Sequence, residues 1–309
     1  MSDKMRLVTR SDFDGLVCAM ILKEIGLIKE IKFVHPKDVQ DGKIELSKND
    51  ITTNLPYDKR VFMCFDHHES ELKRNKEMQA ANNWFIEGEA KSAARVVYNY
   101  YKDKYNLGRI SDEIMTAVDK GDSADFTKDE ILNPSGWVLM NFLMDARTGL
   151  GRFHDFRISN YDLMMELIDY CLEHNIEDVL KLPDVKERVD LYFEQAELFK
   201  KQLAEISTLH GKVVVVNQKS VETIYAGNRF MIYAMYPEAE ISIHVAWGFK
   251  KQNTAVMIGK SIINRSSDFN IGDLCLEYGG GGHANAGTCQ LDNDIVDNEL
   301  PNIIAKLNA

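Results

Sequence analysis

From residue 5 to about residue 130, short apolar runs alternate with helical patterns, which predicts parallel strands covered by helices. Residues 5–9 read as a first strand and 15–25 as the helix behind it. A second strand follows at 30–34, and a short third at 51–54 stops at Leu55-Pro56. Residues 60–65 give a fourth strand, 83–86 a fifth, and 92–101 the next helix. Residues 111–180 carry few strand signals and read as helical. Between Pro183 and Leu209, the residues Val185, Val189, Tyr192, Ala196, Phe199, Leu203 and Ile206 recur at spacings of four and three. That predicts one long amphipathic helix, capped by Asp184 and packed on its own protein. After His210-Gly211 the pattern turns to β-branched and aromatic runs at 213–216, 230–233, 241–247 and 255–258. A helix near 271–277, a glycine run and a terminal helix near 300–307 close the chain. The organisation expected is an α/β parallel-sheet domain over 1–184, a connector helix over 185–210, and a smaller α+β domain over 211–309.

With 309 residues, 45% apolar and 28% charged, the chain can bury two cores. Its net charge is −11, from 48 acidic and 37 basic residues. Such a balance argues against a grip on long nucleic acid, which rests on counterion release by many Lys and Arg contacts. It leaves room for a small anion held in a local pocket. No run approaches the roughly 18 apolar residues of a membrane helix, and no secretory pattern opens the chain. The expectation is a cytoplasmic protein away from membranes, with a homodimer allowed. Cys18, Cys64, Cys171, Cys275 and Cys289 are scattered and never at CxxC spacing, as suits reduced, buried thiols.

Three carboxylate-rich clusters stand at predicted strand or helix ends. Ser11-Asp12-Phe13-Asp14-Gly15 follows the first strand; an Asp there is also an ordinary helix cap, although two in succession are harder to explain that way. Asp66-His67-His68 emerges directly from the apolar fourth strand, and oxygen and imidazole donors together suit a divalent ion such as Mn²⁺. Asp119, Asp122 and Asp125 lie around a helix end and turn. In the second half, Tyr278 leads into Gly279-Gly280-Gly281-Gly282-His283, then Ala286-Gly287. Four consecutive glycines are entropically costly when ordered, so an anion site formed by backbone N–H groups ahead of a helix is expected, with Arg265 upstream. His35, His154, His174, His210 and His244 read as ordinary surface or core histidines. Arg147 is a further candidate for a phosphate contact.

Together these segments resemble the DHH/DHHA1 phosphoesterase family, in its exopolyphosphatase-related, oligoribonuclease-like branch, over nearly the whole chain. Asp12-Phe13-Asp14-Gly15 is similar to its first motif, Asp66-His67-His68 to its name motif, and Gly279 to Gly287 to its GGGGHxxAxG signature. Asp122-Ser-Ala-Asp125-Phe126 is similar to a fourth motif, with Asp119 and Asp125 as alternative frames, and Arg265-Ser266 to the Arg-Ser pair before the glycines. The resemblance implies one or two Mn²⁺ ions, or Mg²⁺, activating water for attack on phosphorus. Asp14, His67 and Asp122 would hold one ion and Asp12 would contribute to another. His68 would meet the phosphate, with Asp66 orienting a neighbour. Arg265, Gly280, Gly281, Gly282 and His283 would hold the rest of the substrate.

Two departures stand out. Val8-Thr9-Arg10-Ser11 replaces a stretch where relatives carry a histidine. The second-motif aspartate falls either on Asn54 or on Asp50. Both changes concern the second ion, so one tightly bound metal is expected, with Arg10 taking over charge stabilisation. The function implied is hydrolysis of phosphate esters in small nucleotides or short oligonucleotides. A nucleotide binder without catalysis and an exopolyphosphatase are the alternatives.

Overall fold

A computed structural model describes residues 4–68, 71, 75, 77, 81–153 and 156–309. The chain divides into two units, one of 1–125, 135–146 and 153–190, the other of 126–134, 147–152 and 191–309. The division falls inside the long helix Pro183–Ile206.

In the first unit β1 (Met5–Arg10), β2 (Ile28–Val34), β3 (Asp50–Thr53), β4 (Met63–Asp66) and β5 (Trp84–Ile86) form a parallel sheet in the order β2-β1-β3-β4-β5. The chain runs outward from β1 to β2 and then returns to the other flank of β1. The carboxyl ends of β1 and β3 therefore bracket the point where strand order reverses, which is where open α/β sheets bind ligands. Helix Phe13–Glu24 follows β1 and is buried from Phe13 to Leu22. Helices Ala93–Tyr101 and Asp112–Asp122 pack against it, so its apolar residues run all round and not along one stripe.

In the second unit β6 (Ser207–His210), β7 (Val213–Asn217), β8 (Ile241–Trp247), β9 (Thr254–Lys260), β10 (Gly281–His283) and β11 (Ala286–Leu291) are ordered β10-β11-β9-β8-β7-β6. Only β7 and β8 run parallel. Period-two alternation sorts the two faces. Val213, Val215, Ile241, Ile243, Val245 and Val256 join a core with helices Ile271–Glu277 and Val296–Asn308, leaving Ser242 and His244 on the opposite face.

Several elements differ from the sequence expectation. The long helix ends at Ile206, and residues 207–210 pair with β7 as a strand. Asp184 is not its cap; buried in the first turn, it pairs with Arg157. Residues 230–233 fall in a helix, Met231–Met235, because a short run buried on every side has no period to separate strand from helix. The glycines precede no helix. They follow helix Ile271–Glu277 and form the β10–β11 hairpin. All five cysteines are free and buried. Among the described residues no helix is long and apolar enough to cross a membrane.

Candidate active site

Asp12 caps the helix that follows β1, accepting a hydrogen bond from the Gly15 N–H at 2.9 Å. A side chain at Gly15 would meet the Arg10 carbonyl oxygen at 2.0 Å, so only glycine lets the chain turn this tightly. Asp14, one residue on, points back into the protein and is buried. Its carboxylate accepts from the N–H groups of Ala93 (3.0 Å) and Ala94 (2.7 Å), at the positive end of the helix capped by Ser92. Even so, burial and then the nearby charge of Asp122 push its pKa up to about 8.

His67 and His68 leave β4 together. The Nδ1–H of His67 donates to the Ala90 carbonyl at 3.2 Å, which orients the ring and turns Nε2 toward Asp122. Nε2 lies 2.8 Å from Asp122 Oδ2, an ion pair when the ring is protonated. Burial alone would lower the pKa of His67, but Asp122 and Asp14 outweigh it and raise it to about 9. A proton on Nε2 bridges this pair when no metal is bound; once that proton is lost, the Nε2 lone pair and two carboxylates converge on a place for a cation. Ligand atoms of Asp14, His67 and Asp122 all lie within 4.8 Å of one another, a donor set that fits one divalent ion. His68 is partly exposed. Its Nδ1 lies 2.7 Å from Oδ1 of the fully buried Asp66, a bond that raises its pKa against the opposing effect of burial.

The alternatives for the fourth motif are engaged elsewhere. Asp119 is held by Ser92 Oγ (2.7 Å) and by Arg95 through Nε and Nη2 (2.9 and 2.6 Å). Asp125 is exposed beside Lys91. The choice between Asp50 and Asn54 is equally clear. Asp50 sits at the far end of β3, paired with Arg6 Nε at 2.7 Å and Ser47. Asn54 follows the carboxyl end of β3 and turns with φ of 55°, a left-handed conformation that Asn tolerates. Its Nδ2 donates to both oxygens of Asp12, at 3.3 and 3.4 Å, while Arg10 Nε pairs with Asp12 Oδ2 at 2.9 Å. An amide and a guanidinium thus surround Asp12, a poor setting for a second dication.

The second unit has a cavity of about 570 Å³ lined in part by Arg147, Arg152, Arg229, His244, Gly281 and Gly282. Arg152 and Arg229 were not singled out from the sequence, where His244 read as an ordinary histidine. The alternation of β8 was the available signal for His244, since it sets Ser242 and His244 opposite the apolar Ile241, Ile243 and Val245. Arg265 is exposed, with Nε bonded to the Ile262 carbonyl, and His283 is exposed on β10; neither lines the cavity. His154 lies outside the described residues. Packing explains two of the four glycines: a Cβ on Gly280 would meet the Thr288 carbonyl oxygen at 2.1 Å, and one on Gly282 that of Ala286 at 2.3 Å. Gly279 turns with φ of 72°, and Gly281 has nothing within 4 Å of its Cβ position.

No protein-family model matches the sequence, and no curated protein does. Among solved structures the chain is similar to the pGpG-specific phosphodiesterase PggH from Vibrio cholerae, with 52% identity over 99% of each chain and a TM-score of 0.84. It is also similar in fold alone to CDC45 from Entamoeba histolytica, at 9% identity over 99% of this chain and 96% of that one, with a TM-score of 0.50. Given half-identity to PggH along the full length of both chains, on a parallel sheet that carries the Asp-His-His motif at a strand end, the chain belongs to the DHH/DHHA1 family of phosphoester hydrolases.

Proposed function

We propose that this protein is a metal-dependent phosphodiesterase acting on short 5′-phosphorylated oligonucleotides, with the dinucleotide pGpG as its main substrate. The observation that carries this reading is the convergence of Asp14, His67 and Asp122 beside His68, in a chain so similar to PggH. Asp14, His67 and Asp122 hold the ion. Mn²⁺ suits this mixed imidazole and carboxylate set better than Mg²⁺, which prefers oxygen donors. When bound, the ion supplies a Lewis acid and lowers the pKa of water.

The remaining work falls to the chain itself. Asp66 fixes His68 through Nδ1 and keeps its Nε2 for the phosphate. Arg10 brings a fixed positive charge to Asp12, where the family resemblance implies a second ion. In the second unit Gly281 and Gly282, expected from sequence as substrate contacts, line the cavity with Arg147, Arg152 and Arg229, while Gly280, His283 and Arg265 lie outside its lining. Arginine clasps phosphate in bidentate fashion.

The test strips the protein with a chelator, restores Mn²⁺ or Mg²⁺, and follows pGpG, longer 5′-phosphorylated oligonucleotides and polyphosphate. Conversion of pGpG to GMP, faster than cleavage of the longer chains, is expected. Absence of turnover with either ion would refute the reading. The Arg10 and Asn54 substitutions around Asp12 favour one second reading, a nucleotide binder without catalysis, whose signature would be pGpG binding with no hydrolysis.

A further inference from the structure

The cavity of the second unit has two chemically different kinds of lining. Arg147, Arg152 and Arg229 are exposed and cationic. The floor is a strip of sheet in which register sets His244, Met257, Thr288 and Gly281 side by side on consecutive strands. The next row carries Ser242 and Gly259. Apolar walls come from Phe199, Leu203 and Ile232. Most polar groups on this floor are already satisfied: the hydroxyls of Tyr233 and Ser242 bond to each other at 2.8 Å, and Tyr233 also bonds to the Gly259 carbonyl at 3.1 Å.

His244 is different. It is half-buried, lines the cavity, and has no hydrogen-bond partner among the described residues. Its ring nitrogens open into the cavity and are available to a ligand. Burial lowers its pKa to about 4, so at neutral pH it is uncharged and offers one N–H donor and one acceptor. A neutral ring is poorly suited to phosphate and well suited to the edge of a base. The cavity volume is in the range of small-ligand sites, and its apolar walls suit the two faces of a planar ring.

We propose that this cavity binds a nucleobase, and that His244 is a specificity-determining residue that donates its N–H to the O6 and N7 edge of guanine, with the arginines meeting the attached phosphate. The proposal deepens the dinucleotide reading above and rests on it. On that edge guanine presents two acceptors, whereas adenine presents a donor beside N7.

The test compares wild-type protein with His244→Ala and His244→Gln on pGpG, pApA and bis(p-nitrophenyl) phosphate, and measures GMP and AMP binding by calorimetry. In the alanine variant kcat/KM on pGpG should fall by about tenfold or more, and GMP binding should weaken likewise. Turnover of pApA and of the base-free ester should change by less than about twofold. The glutamine variant, which keeps a donor, should recover part of the preference. An unchanged ratio of pGpG to pApA turnover would overturn the proposal, and so would an equal loss on all three substrates, which marks a structural role. If wild-type protein cleaves no dinucleotide, the functional reading fails; GMP binding that still depends on His244 would then uphold the base pocket separately.

Discussion

Asp14 and His67 answer to the same requirement, a cation between a lone pair and two carboxylates. Replacing Asp14 with Asn, or His67 with Ala, should cut pGpG turnover by at least about a thousandfold and abolish bound Mn²⁺ in elemental analysis; retained metal and activity would contradict the ligand assignment. Asp66→Asn should cost less, about 10–100-fold, since it acts through His68. His244 gives a pH dependence with a definite sign. Its pKa is about 4 when folded and near the ordinary 6.5 when unfolded. The unfolded chain therefore takes up the proton first as the medium is acidified. The stability from this residue is fully present above about pH 6.5 and is lost as pH falls toward 4. Thermal melts across that window should show a smaller acid-induced drop for His244→Gln than for the wild type. An identical drop in both would contradict the shift.

At the level of elements, the glycine hairpin and the helix behind Asp14 separate packing from function. Gly280→Ala should lower the melting temperature, because its Cβ would collide with the backbone of β11. Gly281→Ala should leave the melting temperature nearly unchanged while raising KM, since its Cβ position opens into free space at the cavity. Equal thermal effects of the two substitutions would refute this division. Ser92→Ala removes both the cap of helix Ala93–Tyr101 and the bond to Asp119, and should cost about 1 kcal/mol. The parallel sheet was legible in the sequence because each strand is a short apolar run ending in polar residues; Asp12, Asp14 and His67 stood out after such strands and Asp122 at a helix end. The short helix Met231–Met235 was not, since residues buried on every side carry no period. Nor were Arg152 and Arg229, which reach the cavity from irregular segments distant in sequence. The glycine run was read correctly as ordered and wrongly as a loop before a helix, because glycine composition reports close approach without saying what approaches.

For the whole molecule, the negative charge of the chain and the local placement of its arginines divide the labour between two units. In one, ligand atoms of Asp14, His67 and Asp122 lie within reach of a single cation, and in the other arginines line a cavity. With a net charge of −11, binding to long single strands should be weak, and the preference for a dinucleotide should arise from the pocket and not from a basic track. Asn54→Asp should place a carboxylate opposite Asp12 and increase the affinity for a second ion, read as metal stoichiometry. The most direct test of the central claim is a titration of metal-stripped protein with Mn²⁺ while pGpG hydrolysis and bound metal are followed together. Full activity should return at one equivalent per chain. A rate that rises only as a second equivalent binds, or no hydrolysis at any stoichiometry, would contradict a one-metal phosphodiesterase.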